Sequence, residues 1–478
     1  MKSICRYIIG LLILISATAS AAERPNVVFI FSDDHAAHAL GAYGGHLAKL
    51  DPTPHLDQLA SQGMRFNRAF VTNSICTPSR ATLLTGKYSH HNGVPVFNPI
   101  DPKQPVFTTA LQQAGYRTAI IGKWHLGTDP VGFDDWEILP GQGAYWNPML
   151  YTAQGKRKYE GHTSQVITDL AIARLKSFGK EKPFFLMVHH KAPHRNWQPA
   201  PQHAAKYKDL TIPEPETLFD DYATRGDGLR TQRQSIARDL NRTDLKQDPP
   251  PGLSGDDLTR WKYQRYMQDY LACVQGVDDS VGQIVKWLDE HGLNDNTVVF
   301  YTSDQGFYLG EHGMYDKRFM YEESLRMPLI VRWPAVIKPG TVSDAMVNNC
   351  DFAPTFLDLA GVTVPADMQG RSLVPLFSGE QPADWRKAVY YRYYHDPGHH
   401  NTRAHYGIRT ATHKLIYFWK QNQWECFDLV KDPNELNNLA NDPQSAELVA
   451  KVKEQLQAIK KEVRDEDQFA DKQPKDGV

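Results

Sequence analysis

Cysteine is scarce in this chain, with five among 478 residues. Cys76, Cys273, Cys350 and Cys426 are scattered too widely for a small disulfide-framework fold. Cys273 sits in the apolar helical stretch Tyr270–Val274 and reads as core, whereas Cys350 and Cys426 either pair or stay buried and free. An excess of one charge is missing too. Against 53 Lys and Arg stand 55 Asp and Glu, a net charge of -2, so the basic excess that marks a nucleic-acid partner is absent. A polyanionic ligand would have to be met locally, by a few clustered Arg, Lys and His. Internal repeats and low-complexity tracts are absent, and no stretch beyond the N-terminus is long and apolar enough to span a bilayer.

The N-terminus is a segment apart. Lys2 and Arg6 flank the start of an apolar run, Tyr7–Ile15, and the small residues Ala17-Thr18-Ala19-Ser20-Ala21 follow. A basic start, a short apolar run and an A-x-A-like site make residues 1–22 a secretory signal peptide. The run is shorter than the roughly 20 residues of a membrane span. Cys5 precedes it and so is not placed as a lipid-anchored cysteine. The mature chain is therefore expected in the periplasm or outside the cell.

What is present is an α/β texture. Asn26–Phe31, Thr118–Gly122, Phe184–Val188 and Thr297–Thr302 are continuous β-branched and aromatic runs, as strands buried on both faces require. Helical periods lie between them, at Leu56–Gln62, Thr108–Ala114 and Tyr263–His291. Polar clusters follow all four strands: Asp33-Asp34, Lys123-Trp124-His125, His189 to His194, and Asp304-Gln305. Ligands of open α/β sheets gather beyond the carboxyl ends of the strands, so these clusters point to one shared site. The length implies one large domain, 23–380, and a smaller one, 381–478. Tyr390–Tyr394 and Lys414–Trp419 read as antiparallel strands of the smaller unit, and Ser445–Val463 as its closing helix. Residues 211–260, polar and rich in Pro, Asp and Arg, are expected as an insertion near the substrate face.

The segment Cys76-Thr77-Pro78-Ser79-Arg80-Ala81-Thr82-Leu83-Leu84-Thr85-Gly86 resembles the signature of the type I, formylglycine-dependent sulfatases. The resemblance covers residues 24 to about 440 and includes Gly122-Lys123-Trp124-His125-Leu126-Gly127, Ala192-Pro193-His194, Tyr315–Glu322, Val274–Asp278, Asp351–Thr355 and Gly370–Leu373. It implies an alkaline-phosphatase-like α/β sandwich with a large, mostly parallel mixed sheet between helices and a small C-terminal α+β subdomain. It implies further that a maturation enzyme oxidises Cys76 to formylglycine. The aldehyde hydrate carries two hydroxyls, one to attack sulfur and one to collapse the adduct, a second step that an ordinary Ser or Cys leaves to water.

By the same resemblance, Asp33, Asp34, Asp304 and Gln305, with the modified Cys76, hold one divalent cation. This hard-oxygen set suits Ca²⁺ best, Mg²⁺ less. Gln305 stands where many relatives have Asn or His. Lys123 and His125 hold and deprotonate the hydrate with Arg80 close by as a fixed charge, and His194 and Lys317 grip the sulfate, His194 being the candidate to protonate the leaving alkoxide. Lys191, Arg195, Asn196, His405 and Arg409 are candidate substrate contacts.

More narrowly, Gly141-Gln142-Gly143, His190–Trp197, Asp304–Lys317 and His405–Thr410 resemble bacterial carbohydrate sulfatases, such as those acting on 6-sulfated N-acetylglucosamine. The expected substrate is a sulfated saccharide, a glycosaminoglycan or algal polysaccharide fragment. Two alternatives stand beside it: a phosphate or phosphonate monoester hydrolase of the same superfamily, and a sulfated-glycan binder without activity.

Overall fold

In the strand Asn26–Ser32 every residue is buried, and the computed structural model shows why. The strand lies at the middle of a ten-stranded sheet, in parallel register with Phe184–His189 on one side and Thr297–Ser303 on the other. Arg117–Lys123 and Asp135–Leu139 extend the parallel core. Leu329–Arg332 runs antiparallel to Thr297–Ser303, with Met64–Phe66 and Thr341–Ser343 beyond it, and Met149–Thr152 and Gly155–Lys158 close the opposite edge. The structure describes residues 24–179 and 181–477; the expected signal peptide lies outside them. Among the described residues no helix is long and apolar enough to cross a membrane.

Helices cover both faces of this sheet. One face carries Gly255–Glu290, whose Tyr263, Tyr266, Tyr270, Val274, Val277, Val281, Ile284 and Leu288 recur at helical spacing and are buried. The apolar period predicts its start at Tyr263. The helix begins earlier because Gly255–Lys262 form two polar turns, with Asp256 and Asp257 favourably placed at the positive N-terminal end. The other face packs on Phe352–Leu359 and Cys76–Thr85.

Residues 211–260 do not lack apolar anchors. Leu218, Leu229, Ile236, Leu240 and Leu245 are each buried, on or beside the short helices Asp227–Arg230, Ile236–Asp239 and Arg242–Leu245. The C-terminal part forms a four-stranded antiparallel sheet, Ala388–Tyr393, His405–Thr410, His413–Phe418 and Gln423–Asp428. Its residues alternate. Tyr390, Ile408, Leu415 and Cys426 meet Val449, Val452 and Leu456 of the helix Ala446–Glu462, and Tyr391, Tyr393, Ile416 and Phe427 meet Phe319–Tyr321. Cys350 and Cys426 share the first of these clusters, buried and unbonded.

One glycine ties two of the site-bearing strands together. Gly122 has φ 105°, and a Cβ there would collide with the carbonyl oxygen of His189. Gly122→Ala should therefore destabilise the fold by about 2–4 kcal/mol, more than an ordinary surface change, as denaturant unfolding would measure. A loss under about 0.5 kcal/mol would mean that this backbone contact is not required.

Candidate active site

The parallel register Ser32↔Ser303 sets the carboxyl ends of the two central strands side by side. Asp33 and Asp34 leave one, Asp304 and Gln305 the other, and all four are buried. The Asp34 amide donates to Asp304 Oδ1 at 3.0 Å, and Asp34 itself takes a left-handed φ of 68°. Lys123, the last residue of its own strand, donates to Asp33 and, at 2.6 Å, to Gln142.

The helix Cys76–Thr85 points its first turn at these ends. Pro78 is tolerated there because first-turn N–H groups have no intrahelical partner. Arg80, one turn on, shares a face with Cys76. Its guanidinium donates to Asp304 Oδ2 at 3.1 Å and to the Lys123 carbonyl at 2.9 Å, and lies over the Phe31 ring. The Ser79 hydroxyl donates to the Asp304 carbonyl, so helix and strand are stitched at the cysteine. Ligating atoms of Asp33, Cys76 and Asp304 all lie within 4.8 Å of one another, as do those of Asp33, Asp34 and His194.

Three buried oxygens in this cluster receive no hydrogen bond: Asp33 Oδ1, Asp34 Oδ2 and Gln305 Oε1. Buried acceptors left unpaired are costly, and unpaired oxygens on residues of one cluster suit a hard divalent cation. The electrostatics agree. Burial, helped by the Asp33 charge, pushes Asp304 well above the usual carboxylate range. Burial also lifts Asp34 to about 6 against the opposing pull of Lys317. Asp33 is held low because Lys123, His194 and Arg80 together outweigh its burial.

Two histidines face the cluster with their tautomers fixed. The Thr77 hydroxyl donates to the His125 carbonyl and so accepts from His125 Nδ1, leaving Nε2 as the bare nitrogen. Burial, with Lys123 nearby, depresses His125 to about 2. His194 Nδ1 donates to the Arg195 carbonyl at 2.5 Å, and its Nε2 stands 3.8 Å from Asp34 Oδ2. Burial holds His194 well below the ordinary imidazole value despite the opposing Asp33 charge. Lys317 donates to Asp34 and is raised because Asp34 and Asp316 outweigh its burial.

A cavity of about 680 Å³ opens beside His194, lined by Gln142–Trp146, Lys191, His194–Asn196, Gln198, Asn241 and Thr243. Lys191 lies over the Tyr145 ring at 4.9 Å, and burial, with Lys123 adding to it, lowers its ammonium to about 8. Arg195 and Asn196 both donate to Asp244.

The structure thus brings Asp33, Asp34, Cys76, Arg80, Lys123, His125, His194, Asp304, Gln305 and Lys317 into one cluster, and sets Lys191, Arg195 and Asn196 on its cavity. It does not bring His405 and Arg409 there. His405 is fully buried in a stack with Phe319, Tyr391 and Tyr393, and Arg409 is paired with Glu322 over the Phe70 ring. Both sit on the sheet face that packs against Phe319–Glu322, and Arg409 lines a separate cavity with Glu322, Glu323 and Glu214. The contacts of Gln142, Thr77, Tyr145 and Asp244 emerge only from the structure, although the first two stand in motifs that the sequence marks.

Carboxylates beyond the ends of parallel strands, unpaired oxygens shaped for a cation, and cations aimed at the same point define a metal-assisted hydrolase of anionic esters. The sequence profile described as "Sulfatase" matches residues 25–362, and that of "N-sulphoglucosamine sulphohydrolase, C-terminal" matches residues 310–462. The chain belongs to the sulfatase family, and it is an enzyme of that family's hydrolytic class. It is 44% identical to an N-acetylglucosamine-6-O-sulfatase of Bacteroides thetaiotaomicron, over 93% of this chain and 88% of that protein. To the human N-acetylglucosamine-6-sulfatase it is 28% identical, over 92% and 85%. A solved structure of a protein in complex with its substrate D-glucosamine-2-N,6-O-disulfate superimposes with a TM-score of 0.91 at 43% identity, covering 94% of this chain and all of that one. The family implies a divalent metal and a formylglycine.

Proposed function

We propose that this sulfatase hydrolyses the 6-O-sulfate ester of a glucosamine unit in a sulfated saccharide, with Cys76 as formylglycine and Ca²⁺ as its metal. The observation that carries the substrate is the likeness along the whole chain to the protein bound to D-glucosamine-2-N,6-O-disulfate. The cavity agrees with it: the exposed Trp146 offers a ring face, and Asn196, Asn241 and Thr243 offer neutral hydrogen-bonding groups, as a sugar ring requires. Free sulfate released from glucosamine 6-sulfate, measured against a panel of sugars sulfated elsewhere, tests it. Release from another position alone would overturn the regiochemistry.

Asp33, Asp34, Asp304 and Gln305 would hold the cation, which supplies charge for a sulfate oxygen. The formylglycine hydrate supplies the attacking hydroxyl. Around it, Lys123 and Arg80 offset negative charge, and His125 Nε2, bare and kept neutral, is free to accept a hydrogen bond from the hydrate, whose negative charge on losing a proton would raise the low proton affinity of the ring. Lys317 and His194 face the sulfate from the other side. The negative ester favours protonation of His194 at Nε2, from which the proton passes to the departing sugar oxygen. Cys76 is 1% exposed in a wholly buried helix, so the maturation enzyme must reach Cys76-Thr77-Pro78-Ser79-Arg80 before the chain closes over it. Residues 1–22 support export to the periplasm or beyond. A phosphate or phosphonate monoester hydrolase with a second, histidine-rich metal site finds less support. His190 is walled in with both ring nitrogens unpaired, and among the described residues the other acid–His group with ligand atoms close enough for one ion, His55, Asp278 and Asp279, lies outside this cluster.

The roles of the two histidines separate by leaving group. An alkoxide needs a proton and a nitrophenolate hardly does, so His194→Ala should cut turnover of the sugar sulfate about 10²–10⁴-fold and that of an aryl sulfate far less. His125→Ala should impair both alike. Equal losses in His194→Ala would leave that residue as a sulfate anchor and move the search for the acid to Lys317.

A further inference from the structure

The polar segment 211–260 lines the cavity with Asn241 and Thr243, and its Asp244 braces the turn behind the cavity wall. Asp244 is 1% exposed and accepts four hydrogen bonds. Only one, from the Asn241 amide at 3.1 Å, belongs to its own helix cap. The other three come from the turn that carries His194: Arg195 Nε at 2.6 Å, Arg195 Nη2 at 2.7 Å and Asn196 Nδ2 at 2.6 Å. A bidentate Arg–carboxylate pair fixes orientation as well as position. Arg195 in turn gives its carbonyl to His194 Nδ1, and Tyr145 gives its hydroxyl to the His194 carbonyl. The guanidinium is thereby spent on Asp244 and stacked on Tyr315 at 4.9 Å, which makes it a brace and not an anion receptor. The segment is itself anchored, since Lys246 donates to Asp269 of the long helix at 2.7 Å. Beside Asp244, Thr243 lines the cavity, and among the described residues its hydroxyl has no protein partner.

We propose that Asp244 is a positioning residue that aims His194 at the leaving-group oxygen through Arg195, and that Thr243 on the same helical turn contacts a hydroxyl of the departing sugar. The segment 211–260 then selects for the sugar while the strand ends select for the sulfate. An acid must sit within hydrogen-bond reach of the oxygen that it protonates, and a displacement near 1 Å is costly. A purely structural brace would affect all substrates equally. This inference rests on the sugar 6-sulfatase reading.

The test uses matured, metal-loaded full-length enzyme, with circular dichroism and Tm recorded for each variant. Asp244→Asn should lower kcat for glucosamine 6-sulfate about a hundredfold and for nitrophenyl sulfate much less. Thr243→Val should raise KM for the sugar about tenfold, and Thr243→Ser, which keeps the hydroxyl, should restore it. Equal losses of Asp244→Asn on both esters, or none, overturn the positioning role. Equal KM values for the valine and serine variants overturn the contact, and this pair decides even where Asp244→Asn fails to fold. A wild type that releases no sulfate from the sugar overturns the functional reading instead, before any variant is compared.

Discussion

Cys76→Ala should leave a folded protein and lower sulfate release by about four to six orders of magnitude, as removal of a covalent nucleophile does elsewhere. The lost group is a single sulfur, so the stability cost is about 1 kcal/mol and Tm should scarcely move. An unmodified thiol could not do the work. Burial raises the Cys76 pKa although Lys123 and Lys317 pull the other way, so little thiolate exists at neutral pH. An aldehyde hydrate needs no thiolate. Peptide mass spectrometry of protein made with a maturation enzyme should show the thiol replaced by formylglycine. Activity should then scale with the modified fraction when maturation is withheld. Full activity in protein that retains an intact Cys76 thiol would remove the nucleophile proposed above.

The frame of this site was legible because buried parallel strands leave a continuous apolar signal that stops at the strand end. Asp33-Asp34, Lys123, His189 and Asp304-Gln305 stand at four such stops, and the sheet order places those strands next to one another. Chemistry at the helix Cys76–Thr85 was legible through a motif and not through periodicity, for the helix is buried all round. What escaped depends on contacts between distant parts of the chain. Asp244 lies in a polar stretch with no period, and its link to Arg195 spans 49 positions. His405 and Arg409 resembled substrate ligands because polar residues in a short antiparallel strand carry no local sign of which face they occupy. Here that face packs on Phe319–Glu322. Sequence left Cys350 and Cys426 either paired or free, since a single small buried cluster accommodates both states.

Asp304→Asn should abolish metal binding and activity together, with one equivalent of bound Ca²⁺ in the wild type falling to none. The carboxylate stands between two demands: it accepts from Arg80 and from the Asp34 amide, and it would share a cation with Asp33, whose ligating oxygen lies within 4.8 Å of its own. An amide there could not offset the charge of a divalent ion. The pH dependence gives an independent check. In metal-free protein Asp34 is raised from 3.8 to about 6, chiefly by burial, with Lys317 opposing and the Asp33 charge adding to it. Its contribution to stability is thus present below about pH 4 and lost as pH rises through about 6, worth about 3 kcal/mol in all. Asp304, raised further by burial and by Asp33, acts in the same direction, whereas Asp33, held low by Lys123, acts in the opposite one. A bound cation favours the charged carboxylates and removes the penalty, so protons compete with the metal. The stabilisation conferred by a fixed Ca²⁺ concentration should therefore be several kcal/mol greater at pH 7.5 than at pH 5, and calcium binding near pH 5.5 should release protons. Denaturant unfolding with and without Ca²⁺ at the two pH values measures the first, and calorimetry in buffers of different ionisation enthalpy the second. Equal stabilisation at both pH values, or calcium retained by Asp304→Asn, would place the metal elsewhere than on these strand ends.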